Sequence, residues 1–284
     1  MTTAREKFAG GVAVITGAGS GIGAGLARRA GELGMTVVAA DIDDAAAARV
    51  AEEIRQVGGK AEAMRVDVAQ PAELDRLAAD VFARHGSVRL LINNAGIETL
   101  GFSWERPAER WEKTLNVNLH GVIHGVRAFV PRMLAGAAEG WIANLASIGA
   151  FGIMPTQAAY LVTKHAVQSF SENLYLELQL KGAAIHVSSV VPGYVKSAIF
   201  ADNAAGDEPA DAARHRETMT AMMQAHGMEA GEAARVILEG VASGHFWVST
   251  HPEATAAMIA GRVAYMQRQS DPPLSDATRV LLGF

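Results

Sequence analysis

At 284 residues, half of them hydrophobic, the chain can bury a full core as one large α/β domain or two small ones, which excludes disorder for its bulk. Twenty-five basic against thirty acidic side chains give a net charge of −5, with no long cationic run to neutralise a phosphate backbone, so nucleic acid is not an expected partner. The lack of cysteine excludes a disulfide framework, thiol catalysis and cysteine metal sites; with no apolar leader and no apolar run of about 18 residues, it predicts a soluble, cytoplasmic chain with no membrane partner.

Residues 12–193 repeat one rhythm of a short Val- and Ile-rich run, a loop and an amphipathic helical stretch. "VAVIT" (12–16) precedes a helix near 22–33, "MTVVAAD" (35–41) one near 43–57, and "AEAMRVDV" (61–68) one near 71–85. "VRLLINNAG" (88–96), "GWIANLAS" (140–147) and "AAIHVSSVVPG" (183–193) continue the series, and "GHFWVS" (244–249) adds a seventh strand. Continuous apolar strands alternating with helices are buried on both faces, which predicts a doubly wound α/β fold around a parallel sheet. Ligands of such sheets bind beyond the carboxyl ends of the strands.

The stretch 198–228 breaks the rhythm with small, charged and Met residues, and predicts a mobile lid over about 194–228. Met219, Met222, Met223 and Met228 fit an apolar ceiling over a substrate and fit helix core equally well. The segment from 252 on reads as one more helix followed by a proline stop, in a C-terminal extension of a single 1–284 domain.

"TGAGSGIGAG" (16–25) follows the first strand and opens a helix, where glycines let backbone approach a pyrophosphate and free N–H groups attract its charge. Two registers fit: Gly19, Gly21 and Ala24, or Gly17, Gly21 and Gly23. Asp41 closes the second strand, where a carboxylate accepts hydrogen bonds from ribose hydroxyls and repels a 2′-phosphate. Ser20 stands where a basic residue could have met that phosphate, so NAD is expected over NADP. The bland alternative is that Asp41 caps the next helix, a task Asp43 could perform instead.

"YLVTK" (160–164) sets a phenol and an ammonium one helical turn apart. A phenol titrates near 10 and is a poor base at neutral pH unless a nearby cation, here Lys164 together with a positive nicotinamide ring, favours its phenolate. "HGVIH" (120–124) sets two histidines at i, i+4, but without H-E-x-x-H no metal site is expected.

With "TGAGSGIG", "NNAG" (93–96), "NVNLHG" (116–121), Ser147 and "PGYVKS" (192–197) in this order, the chain resembles the short-chain dehydrogenase/reductase family of ordinary length. The resemblance implies a Rossmann-type fold with a seven-stranded parallel sheet. It casts Tyr160 as the catalytic acid/base and Lys164 as the residue that lowers its pKa and holds the ribose. Ser147 resembles the hydroxyl on the substrate oxygen, and Asn118, chosen over Asn116, the residue whose backbone holds a water of the proton relay. Gly17, Ser20, Gly21, Ile22, Gly23, Asp41, Asp67, Val68, Asn94, Gly96, Pro192, Gly193 and Val195 would line the cofactor, with Ser197 where threonine is usual.

Glu98, Phe151, Met154, Gln157 and Tyr194 flank these motifs and are candidates for the substrate pocket. The expected activity is NAD-dependent interconversion of a secondary alcohol and a ketone. The chain is loosely similar to bacterial aryl-alcohol Cα-dehydrogenases, which suggests a bulky hydrophobic or aromatic substrate. The rivals are an NADPH-dependent carbonyl reductase and, from another class, a catalytically idle nucleotide-binding sensor or scaffold. The family commonly forms homotetramers, so a homo-oligomer, tetramer or dimer, is expected.

Overall fold

The computed structural model describes residues 4–200 and 208–283. A short α1 (Ala4–Phe8) leads into β1 (Val12–Thr16), α2 (Gly21–Glu32), β2 (Thr36–Asp41), α3 (Asp44–Gln56), β3 (Lys60–Arg65) and α4 (Pro71–His85). β4 (Leu90–Asn93) is followed by α5 (Ala108–Leu115) and α6 (Gly121–Gly136), joined through a widened π-helical turn at Asn116–His120. β5 (Gly140–Leu145), α7 (Ala158–Leu180) and β6 (Ile185–Val191) follow; α8 (Ala210–His226), α9 (Ala230–Ala242), β7 (Trp247–Ser249), α10 (Pro252–Gln267) and α11 (Asp276–Leu282) complete the chain.

The seven strands form one parallel sheet in the order β3-β2-β1-β4-β5-β6-β7. β1 and β4 are neighbours although the chain leaves them in opposite directions, so the crevice at their carboxyl ends is the topological switch point. Alternate residues of β1 serve opposite faces. Ala13 and Ile15 pack with Leu26, Ile54 and Ile237, while Val12 and Val14 pack with Leu77, Phe129 and Leu174. The sheet thus lies between α1, α2, α3 and α9 on one face and α4, α6 and α7 on the other.

The strands stop short of several predicted ends. β3 pairs with β2 only as far as Asp41↔Arg65, and β4 with β5 only as far as Asn93↔Asn144. Asp67, Val68, Asn94, Gly96, Pro192, Gly193 and Val195 therefore lie on loops beyond the strand ends. Part of the predicted lid is helical, as α8, and its base is pinned where Tyr194 O accepts from Met228 N and Met228 O from Lys196 N, both at 2.9 Å. Residues 201–207 of that lid lie outside the described residues. The single helix expected after 252 is two helices, because Pro272 and Pro273 interrupt it and Ser275 restarts it by accepting from Thr278 N at 3.1 Å. Among the described residues no helix is long and apolar enough to cross a membrane.

Candidate active site

The turn after β1 is built for close backbone contact. Gly17 has φ +64°, and a Cβ there would stand 2.7 Å from Ala95 Cα. A Cβ on Gly23 would stand 2.0 Å from the Gly17 carbonyl oxygen, so the start of α2 can lie against the loop only without a side chain. Asn94 fastens the loop from β4, its Nδ2 donating to Thr16 O at 2.9 Å and Gly17 O at 3.0 Å. Ser20 does not turn its hydroxyl back onto α2, and no acidic residue stands in the first turn. Among the described residues, the N–H groups at this helix start have no side-chain cap, which fits a diphosphate.

Asp41 ends β2 beside the loop, its Oδ2 accepting from Gly19 N at 2.8 Å and its Oδ1 from Asp43 N at 3.0 Å. The cap of α3 is Asp43, which accepts from Ala46 N at 3.0 Å, so Asp41 is not spent on that task. Sequence reading missed Arg49, whose Nη2 reaches Gly19 O at 3.3 Å from the outer side of the loop. Arg49 and Arg28 line a cavity of about 470 Å³ that adjoins the one lined by Asp41 and shares Ser20, Gly21, Ser197 and Phe200 with it.

Tyr160 and Lys164 sit one turn apart on α7, and Ser147 follows β5 in extended backbone, its Oγ accepting from Gly149 N at 3.0 Å. Asn118 is fully buried in the π turn, where Gly121 N reaches back five residues to Asn116 O. Its Oδ1 accepts from Ile97 N at 2.8 Å and its Nδ2 donates to Ile97 O at 2.9 Å and to Thr163 Oγ1 at 3.2 Å. Asn118 thus clamps the segment after β4 to α7, whereas Asn116 pairs with the His120 ring at 2.8 Å.

The lysine alone does not lower the phenol. Lys164 Nζ donates to Leu145 O at 2.8 Å and lies 5.5 Å from the centroid of the Tyr160 ring. Burial pushes the phenol above its ordinary range, the Glu98 carboxylate adds to the rise, and a hydrogen bond from Ser147 opposes it. Burial also pulls Lys164 down to about 8 against the pull of Glu98, and pushes Glu98 up to about 8 despite Thr99 N–H, Lys164 and Gln157. A phenolate at neutral pH needs a further positive charge beside Tyr160, the one a bound oxidised nicotinamide would bring.

One cavity of about 1220 Å³ takes in every candidate cofactor and pocket residue, together with Ser147, Tyr160 and Lys164; Asn118 stands behind its wall. Glu98, Phe151, Met154, Gln157 and Tyr194 all line it. Both readings of the lid methionines are realised: Met219 and Met223 face the cavity and also form a small core with Leu100, Phe200 and Ala212. Sequence reading missed the roof, made by Met258, Gly261, Arg262 and Tyr265 of α10 with Ser275, Thr278 and Leu281 of α11. No apolar periodicity marked it in the sequence, because Gly261 and Arg262 stand between Met258 and Tyr265 on that face.

Residues 11–208 match the family of short chain dehydrogenases. A cyclohexanol dehydrogenase of Acinetobacter is 36% identical, over 69% of this chain and 78% of its own length. A short chain dehydrogenase/reductase of Burkholderia phymatum in complex with NAD superposes with a TM-score of 0.90 at 34% identity, over 95% of this chain and 99% of its own. LigD of Sphingobium, in its apo form, gives a TM-score of 0.77 at 26% identity, over 94% of this chain and 100% of its own. With the sheet order, the glycine turn and the Tyr160/Lys164 pair already in hand, these likenesses mean that the chain belongs to the short-chain dehydrogenase/reductase family of NAD(P)-dependent oxidoreductases.

Proposed function

We propose that the protein is an NAD-dependent dehydrogenase that interconverts a secondary alcohol and a ketone, on a bulky hydrophobic or aromatic substrate. The observation that carries this reading is the convergence of Ser147, Tyr160 and Lys164 on the cavity that Asp41 and the glycine turn also line. The bound nicotinamide supplies the hydride acceptor for oxidation and the donor for reduction. In oxidation, Tyr160 as phenolate takes the hydroxyl proton while Ser147 donates to the substrate oxygen; in reduction, Tyr160 returns the proton. Lys164 places positive charge beside the phenolate and would donate to the ribose of a bound nucleotide, and Asn118 fixes the helix turn beside them.

NAD is favoured because the Asp41 carboxylate lines this cavity at the end of β2, and the relative from Burkholderia phymatum is a complex with NAD. The reach of Arg49 to Gly19 O favours the second reading, an NADPH-dependent carbonyl reductase. A hydrophobic substrate is supported by a cavity wall of Phe151, Met154, Phe200, Met219, Met223 and Met258. The chain is also read as a homo-oligomer.

Initial rates with NAD and NADP against aryl and alicyclic secondary alcohols test the assignment. NAD is expected to be the better cofactor, and Tyr160→Phe to lower kcat by roughly 10²–10⁴-fold with little change in cofactor affinity. A clear preference for NADP would reverse the reading of Asp41. Full turnover by Tyr160→Phe would remove the phenol from the mechanism.

A further inference from the structure

Glu98 is the acid of the catalytic floor, and no step of the hydride transfer uses it. It follows the Asn94–Gly96 segment after β4, between the fully buried core on one side and the open cavity on the other. Its Oε1 accepts from Thr99 N at 3.1 Å and its Oε2 from Gln157 Nε2 at 3.3 Å. Each carboxyl oxygen keeps a free lone pair, and Gln157 keeps its amide oxygen. Gln157 caps the start of α7 three residues before Tyr160, and the Glu98 carboxyl that it holds is close enough to the phenol for its charge to act on it.

A carboxyl facing a wall of Phe151 and Met154 is costly to desolvate and is offset only by a polar partner. Burial pushes Glu98 up to about 8, so near neutral pH it keeps its proton and can donate as well as accept. A hydroxyl, itself donor and acceptor, is the complement of that group.

We infer that Glu98 and Gln157 bind a second hydroxyl of the substrate, so that the preferred substrate is a diol or hydroxyketone with that hydroxyl one or two carbons from the reacting carbon. This rests on the alcohol dehydrogenase reading above and narrows its substrate class. Ser147 and Tyr160 take the reacting oxygen, Glu98 and Gln157 take the second, and the aromatic or alicyclic body lies against the apolar wall. The chemistry of the transfer is unchanged; the second hydroxyl fixes which carbon faces the cofactor.

The test uses the whole protein with NAD, and in parallel with NADP, and matched alcohols: 1-phenylethanol against 1-phenyl-1,2-ethanediol and 1-phenyl-1,3-propanediol, and cyclohexanol against cis- and trans-1,2-cyclohexanediol. The readout is the ratio of kcat/KM, diol over mono-alcohol, in which any general loss from a substitution cancels. The wild-type ratio is expected to exceed about tenfold for at least one diol. Glu98→Gln, which keeps the hydrogen bonds of the protonated acid, retains most of it, and Glu98→Leu brings it close to one. A wild-type ratio near one with good turnover of mono-alcohols would overturn the inference and leave the dehydrogenase reading standing, as would a ratio that survives Glu98→Leu. Failure of every alcohol to turn over with either cofactor would overturn both.

Discussion

The proposed preference for NAD turns on the surroundings of one carboxylate. Asp41 can accept ribose hydroxyls because Asp43 caps α3 in its place, a division of labour the two aspartates made legible in the sequence. Asp41→Ser is expected to move the ratio of kcat/KM for NADP over NAD by tenfold or more toward NADP, since it removes the charge that repels a 2′-phosphate. An unchanged ratio would assign the choice to Arg49 and its neighbours. Gly23 was legible as a motif position, but its reason was not. The sequence could not say that a Cβ there would meet the Gly17 carbonyl, because that contact depends on how Asn94 draws β4 against the loop. Arg49 was missed for the same reason, being distant in sequence and near Gly19 only once α3 has packed.

Among the elements, the strands and first helices were legible because buried parallel strands are continuous apolar runs and the helices between them are amphipathic. α8 was not, because its polar surface masks the few residues it buries. One of them is His215, fully buried, whose Nδ1 lies 2.6 Å from Thr156 Oγ1. Thr156 has φ +67°, a conformation a β-branched residue avoids, and sits at the entry to α7, four residues before Tyr160. This bond ties the lid helix to the lead-in of the catalytic helix.

Burial holds His215 below its ordinary range, so the unfolded chain takes up a proton near pH 6.5 that the folded chain refuses. Its contribution to stability is therefore present above about pH 6.5 and lost as the pH falls below it. The melting temperature should fall between pH 7.5 and 5.5, and fall less steeply in His215→Gln; equal slopes would mean that His215 is not protected from protons. Deleting the bond in His215→Leu should cost about 1–3 kcal/mol in denaturant titrations at pH 7.5, because the Thr156 hydroxyl loses its partner.

At the scale of the whole molecule, the core on the α4 and α6 side of the sheet uses one face of α7 and leaves the other exposed. Val162, Leu176 and Leu180 are 51%, 56% and 87% exposed there, in a stripe with Ala166 and Ser169 between them. Apolar and small residues on an exposed helix face suit a second copy of the same helix. Light scattering should report a dimer or tetramer, and Val162→Glu with Leu176→Glu should shift the mass toward one chain; a wild-type monomer would remove the homo-oligomer reading. The family resemblance implied a homo-oligomer, but the sequence did not show which helix face is left uncovered.

The roof over the cavity is drawn from helices that follow the last strand, whereas the groups proposed to move the proton and hold the nucleotide stand before it. Synthesis completes the reaction chamber in that order, floor before ceiling. Selection inherits the same partition: exchanges at Met258, Gly261, Arg262 or Tyr265 can reshape what the chamber admits while the hydride still travels over an untouched floor. A lineage with this arrangement can change its diet without relearning its chemistry.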